Sequence, residues 1–359
     1  MNRPRRVWNP AEDDAFVCRA IRSVAPGVTT VVLAPRQASM IGFEAGQYVT
    51  IEFDVDGRPV DRCYTIASPP TRPEAIAITV KRTEDGTVSR WLHDGGLLPG
   101  SVVRIGRPRG EFTLAAHPSP AYLLLTAGSG ITPALSMLRA LYDLGDVCDI
   151  VLVHSQRRLA DVPYREELDW MARHIPGLRI QYLCSDAAAD TGHPRLAPGR
   201  LDPRTLSSLV PDAGPREVLA CGPRSYREAA RAAAVEVGCA PDRIHEESFT
   251  FEKPRATEPI AATATPAPGF DPGGFLVELR QHGVTIECAP GMTILDAAAA
   301  AGLTLPSSCA QGLCGTCKST LISGEVDMRH NGGIRPREIA AGKVLLCCSR
   351  PKSDLVVSA

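Results

Sequence analysis

Near the C-terminus the run CAQGLCGTC sets Cys309, Cys314 and Cys317 in the spacing C-x4-C-x2-C, and Cys347 follows after 29 further residues. Thiolates at this spacing can converge on the two irons of a [2Fe–2S] cluster. Gly312 and Gly315 would let the loop curl without Cβ clashes and bring its amides to the sulfurs. Tetrahedral zinc is the competing occupant, since it also takes four thiolates, but zinc ribbons supply two C-x2-C knuckles and here there is one. Cys348 adjoins Cys347, so the fourth ligand is open between them. On a strand, Cys348 would point to the opposite side and pack as a bystander. A cluster of this kind moves single electrons, so something else in the chain must feed it.

Two upstream patterns could do so. In DRCYTIASPP, Arg62 and Tyr64 stand two apart, hence on one face of a strand, where a guanidinium can fork onto phosphate and a phenol ring can lie against a flat heterocycle. An ordinary barrel strand with an exposed arginine explains that pair alone equally well. VKRTEDGTVSRWLHD follows at the distance of a returning strand. There Gly86 to Ser89 would open a short helix whose free amides receive phosphate, with Lys81 adding charge at the edge. Together these residues point to a flavin dinucleotide.

In LLLTAGSGITPALSML, a buried strand, a glycine turn and a helix are expected, with Thr132 as N-cap and Pro133 as the first helical residue. Gly128 and Gly130 would admit a dinucleotide backbone, although a tight strand-to-helix turn needs the same glycines. EVLACGPRSYREAA repeats the design, with Cys221, Gly222 and Pro223 at a strand end where ligands of parallel sheets settle. Cys221 could lie near a reacting nicotinamide carbon or be a small residue chosen to fit. In HEESFTFE, just before the tether, Glu247 is a candidate catalytic residue with Thr65 and Cys221, and Phe249 could cover a flavin ring or pack in the core. In HSQRRLADVPYREEL, Ser155, Arg157 and Arg158 could receive a 2'-phosphate with no acid at the strand end, which leans toward NADPH, whereas a solvated arginine patch would leave NADH equally suitable.

These residues need three kinds of scaffold, and 359 residues suffice for two or three domains. Short alternating runs such as QYVTIEF and AIAITVK predict an antiparallel β-barrel over residues 1–117. Continuous apolar runs such as AYLLLTAG and DIVLVHS, with helices between them, predict a parallel α/β layer over 118–252. The proline, alanine and threonine of 253–272 read as a tether of limited flexibility, leaving a C-terminal module over 273–359. A net charge of −1 argues against nucleic acid as a partner. No apolar run reaches the length of a membrane span and no secretory signal is evident, so a cytoplasmic protein is expected, its oligomeric state open. The other eight of the twelve cysteines, Cys348 among them, read as small buried hydrophobes.

The ordered set RCYT, GTVS, AGSGITP, CGP and CAQGLCGTC with its distant cysteine resembles the ferredoxin-NADP reductase superfamily with a plant-type, β-grasp ferredoxin module fused at the C-terminus. In this order it is similar to reductase components of Rieske-type oxygenases and of phenylacetyl-CoA epoxidase, and to the NADH reductase of hybrid-cluster protein. Residues 328–351 are similar to reductases serving monooxygenases that demethylate glycine betaine, stachydrine or carnitine. The resemblance implies FAD, with FMN in one branch, a [2Fe–2S] cluster, NADH or NADPH, and a terminal oxygenase or other protein as electron acceptor. It also implies Arg62, Tyr64 and Thr65 around the flavin with Thr65 near N5, Gly86, Val88 and Ser89 on the pyrophosphate, Thr132 between flavin and nicotinamide, and Cys347 as fourth ligand. The alternative function from another class is a zinc-stabilised interaction module on a degenerate reductase.

Overall fold

A computed structural model describes residues 6–147, 149–186, 192–247, 274–303, 305, 312, 315, 317–330 and 333–359. Two compact units divide the chain, Met1–Phe249 and Thr250–Ala359. In the first, alternating apolar residues make one face of each early strand a core face. The strands are β1 (Ala15–Ala25), β2 (Val28–Pro35), β3 (Tyr48–Val55), β4 (Arg58–Thr65), β5 (Ile76–Lys81) and β6 (Val102–Ile105), with helix α1 (Thr87–His93) between the last two. They form an antiparallel sheet in the order β4-β3-β6-β1-β2-β5. Just past β4, the Ala67 amide donates to the Ala77 carbonyl of β5 at 2.7 Å, which draws the two edges together around Phe16, Ile51, Phe53 and Ile78.

The second half of this unit is a six-stranded parallel sheet in the order β10-β9-β8-β7-β11-β12. Its elements are β7 (Ala121–Ala127), α2 (Ile131–Leu144), β8 (Asp149–Gln156), α3 (Arg165–His174), β9 (Leu178–Cys184), β10 (Leu196–Pro198), α4 (Pro203–Leu209), β11 (Glu217–Cys221), α5 (Arg224–Glu236) and β12 (Ile244–Glu247). The central strands are buried on both faces, one core layer containing residues of α2 and α3, the other of α4 and α5. That is why their sequence runs are continuously apolar.

Barrel and sheet are fastened together by polar contacts. Arg139 of α2 donates to the Ala67 carbonyl at 2.8 Å and grips Glu167 with two bonds of 2.7 Å. Ser136 donates to the Ser68 carbonyl at 2.8 Å. Tyr164, in the left-handed region with φ 56°, directs its hydroxyl between Thr30 of β2 and Thr79 of β5, and the Arg139 guanidinium lies over its ring. Residues 66–68, which leave β4, are thereby tied to α2.

The second unit contains β13 (Phe275–Leu279), β14 (Val284–Cys288), α6 (Ile294–Ala300), β15 (Lys318–Ser323), β16 (Val326–Met328), α7 (Pro336–Ala340), β17 (Lys343–Leu345), β18 (Ser349–Pro351) and β19 (Leu355–Val357). A five-stranded mixed sheet, β14-β13-β19-β15-β17, shares its core with α6, while β16 pairs with β18. This is the β-grasp arrangement. The expected tether at 253–272 lies outside the described residues.

Candidate functional site

On the barrel, Arg62 pairs with Ile51 and Tyr64 with Val49, so both face the same side of β4. Tyr64 meets Phe53 edge-on at 6.0 Å, and Phe53 meets Trp91 of α1 at 6.2 Å. Burial pushes the Tyr64 phenol pKa up, opposed by the nearby Arg62. Thr65 faces the other way, 4% exposed, and its hydroxyl has no partner among the described residues. A buried hydroxyl without a partner costs about 1–3 kcal/mol, so a ligand atom is the natural complement. Gly86 caps α1 and, being a glycine, offers no side-chain cap bond. A recess of about 600 Å3 opens beside it, lined by Gly86, Thr87, Arg90, Trp91 and Gly96 among others. Val88 is buried and can offer only its amide, while the Ser89 hydroxyl is 2.9 Å from that of Thr83. Lys81 is exposed at the end of β5.

At the C-terminal edge of the parallel sheet, β7 runs through a 3-10 turn, Gly128–Gly130, straight into α2. The expected cap is therefore corrected. Gly130 caps α2, and Thr132 and Pro133 are its second and third residues. The preceding turn winds the helix early, and Thr132 donates to the Ser129 carbonyl at 3.1 Å instead of accepting an amide. Pro133 costs nothing there, because first-turn amides have no partner within the helix. A Cβ on Gly130 would sit 2.3 Å from the Cys221 carbonyl oxygen, so Gly130 lets the turn approach β11, whereas Gly128, φ 56°, meets open space.

Cys221 is fully buried in register with Thr126 of β7 and Glu247 of β12, and Gly222 and Pro223 follow it into α5. Burial, then the neighbouring Glu247, raises the Cys221 thiol pKa well above its ordinary value. Burial likewise pushes Glu247 up to about 8, and its Oε2 has no partner among the described residues. An ideal Cβ on Gly110 of the barrel would be 3.8 Å from Glu247 Oε1, so this carboxyl lies where barrel and sheet meet. The Ser155 and Tyr226 hydroxyls are also buried, and they lie beside each other. The unmatched Glu247 oxygen at the end of β12 is the kind of buried polar atom that a ligand would satisfy. Tyr226 was not foreseen, because its sequence reads as an amphipathic helix. Arg157 and Arg158 are exposed, and Arg158 is paired with Asp161 at 3.1 Å. An acid does therefore stand beside the arginines, five residues past β8. Phe249 lies outside the described residues.

In the second unit, Cys317 and Cys347 are buried, and the Cys347 amide approaches the Cys317 sulfur at 3.5 Å. The Gly312 amide donates to the Cys347 sulfur at 3.2 Å. Gly312 and Gly315 hold φ of 69° and 76°, backbone that side chains resist. Cys348 is in a turn, not a strand, because its amide closes back on the Leu345 carbonyl at 3.2 Å, and its sulfur is 3.7 Å from that same carbonyl. Cys309 and Cys314 lie outside the described residues.

Family models match in the same order: an oxidoreductase FAD-binding domain over residues 19–114, an oxidoreductase NAD-binding domain over 124–232 and a 2Fe-2S iron-sulfur cluster binding domain over 277–352. The chain is 38% identical over 334 residues, 92% of its length, to the glycine betaine monooxygenase reductase subunit of Pseudomonas aeruginosa, covering 91% of that protein. The chain belongs to the oxidoreductases that join FAD-, NAD- and [2Fe–2S]-binding domains. The reductase is also 36% identical over 355 residues to the stachydrine N-demethylase reductase subunit of Rhizobium meliloti, covering 98% of each chain. Phthalate dioxygenase reductase matches its structure with a TM-score of 0.57 at 26% identity, over 98% of this chain and 100% of that one. The iron-sulfur match and these relatives favour neither the zinc module nor hybrid-cluster protein as acceptor. The reductase passes electrons from NAD(P)H through FAD to a [2Fe–2S] cluster. Among the described residues no helix is long and apolar enough to cross a membrane.

Proposed function

We propose that the reductase supplies electrons to a terminal Rieske-type oxygenase that demethylates a quaternary ammonium compound. The observation carrying this reading is the similarity to the glycine betaine and stachydrine reductase subunits along nearly the whole of all three chains. A bound flavin would supply hydride acceptance from a nicotinamide and one-electron release to the cluster. The protein's own part is positioning, since hydride transfer needs its two reacting atoms held at about 3–3.5 Å. In this reading Arg62 and Tyr64 hold the flavin and the Thr65 hydroxyl meets its N5. The amides of Gly86 and Val88, with Ser89, meet the pyrophosphate, and exposed Lys81 adds charge. Gly128, Gly130, Thr132 and Pro133 form the floor under the nicotinamide dinucleotide. Cys221, Gly222 and Pro223 close it, Phe249 would cover the flavin ring, and Glu247 holds a proton at neutral pH beside Cys221. Ser155 and Arg157 receive the ribose end, and Arg158 is already engaged by Asp161, so that NADPH rests on Arg157. Cys309, Cys314, Cys317 and Cys347 hold the cluster, with Cys348 packed behind it.

Reconstitution with a candidate oxygenase tests the partner. Formaldehyde release from glycine betaine, stachydrine or carnitine is expected to depend on the reductase and NAD(P)H. No demethylation with any of them, while ferricyanide is still reduced, would refute this partner class and leave the electron-transfer activity standing.

A further inference from the structure

Glu217 opens β11, and on the same sheet face His245 lies on the adjacent strand β12. His117 precedes β7, in the connection from barrel to sheet, and its ring stacks on that of His245 with centroids 3.5 Å apart. One ligand atom from each of the three residues lies within 4.8 Å of the other two. We propose that His117, Glu217 and His245 form a binding site for a divalent transition-metal ion of the zinc class, distinct from the cluster.

Three features support it. Two imidazoles and one carboxylate suit zinc, cobalt or nickel, whereas magnesium and calcium want oxygen ligands. His245 Nε2 and Glu217 Oε1 are already 2.6 Å apart, so the ion takes the place of the proton between them, which moves to Nδ1 of the same ring. The outer contacts are of the kind that orient ligands: Arg243 donates to Glu217 Oε2 at 3.0 Å, leaving Oε1 for the ion, and His117 has a hydrogen bond to the Glu111 backbone. All three residues are partly or fully withdrawn from solvent, and three protein ligands leave a position for water. The site lies four residues, about 13 Å of strand, from Cys221. An ion there clips the chain's entry into the nucleotide layer to its last described strand, away from the reacting atoms.

The test uses full-length reductase with flavin and iron loaded, titrated with Zn2+ against a chromophoric chelator. Wild type is expected to bind one more equivalent than a His117→Ala/His245→Gln double variant, and each single change to weaken that equivalent at least tenfold. Flavin content and ferricyanide turnover of the metal-free variants should match wild type. Equal zinc uptake by wild type and the double variant overturns the proposal. Zinc-edge absorption on wild type gives a reading independent of the variants' folding: imidazole scattering is expected, and a shell of sulfur alone overturns it.

Discussion

Thr65 and His154 are both buried polar residues with an unanswered atom, and their surroundings assign them different work. The Thr65 hydroxyl ends the strand that carries Arg62 and Tyr64, so in the proposed reading its missing partner belongs to the ligand. Thr65→Val keeps the shape and removes the hydrogen bond. It is expected to retain flavin and slow its reduction by NAD(P)H about tenfold, the worth of about 1.4 kcal/mol, in stopped-flow absorbance. An unchanged rate would remove Thr65 from the reacting centre. His154 is instead enclosed in the sheet, 2.8 Å from the Thr126 hydroxyl through Nδ1, with Nε2 unmatched among the described residues. Burial lowers its pKa to about 3. Below about pH 6.5 the unfolded chain binds a proton that the folded chain refuses, so stability falls as pH drops from there toward 3, by about 1.4 kcal/mol per unit. His154→Asn, which keeps an acceptor near Nδ1, should flatten that slope in urea titrations between pH 4 and 6.5. Parallel curves would refute it.

At the scale of elements, the turn between β7 and α2 explains why a glycine pattern can be legible while its role is not. The alternation of strand, glycine and helix was evident in AYLLLTAGSGITPALSML. Thr-Pro, a strong local start signal, points to a helix start two residues late, because the 3-10 turn that overrides it is fixed by contact with the distant β11. The two glycines separate accordingly. Gly130→Ala forces a Cβ into the Cys221 carbonyl and is expected to cost about 1–3 kcal/mol, with nicotinamide binding lost through the displaced β11 end. Gly128→Ala meets only the strain of a positive φ, about 1–2 kcal/mol, and should disturb β11 less. Thermal unfolding followed with and without nicotinamide distinguishes them. Equal ligand effects would mean that approach to β11 is not what Gly130 provides.

Over the whole molecule, what could be read from the sequence was what is local: the cysteine spacing, the strand periods and the motif order. What stayed hidden joins distant residues. Tyr164 reaches Thr30 and Thr79 across the barrel, and His117 finds Glu217 and His245 only when the sheet is assembled. No spacing rule connects such positions. The contacts divide the labour physically: polar clamps fix barrel to parallel sheet within one compact unit, as hydride transfer demands, while the cluster-binding domain is a compact unit of its own. Electron transfer tolerates separate carriers, so the two activities should be separable by one substitution. Cys314→Ser removes a proposed iron ligand. It is expected to leave NAD(P)H-driven ferricyanide reduction within about twofold of wild type, because the flavin can reduce that acceptor directly, and to lower cytochrome c reduction and oxygenase coupling by about 100-fold, a rise of about 2.7 kcal/mol in the barrier. Iron content should fall with it while flavin content holds. Loss of both activities together would mean that the cluster supports the fold of the entire chain, and the division between a fixed hydride site and an independent electron carrier would fail.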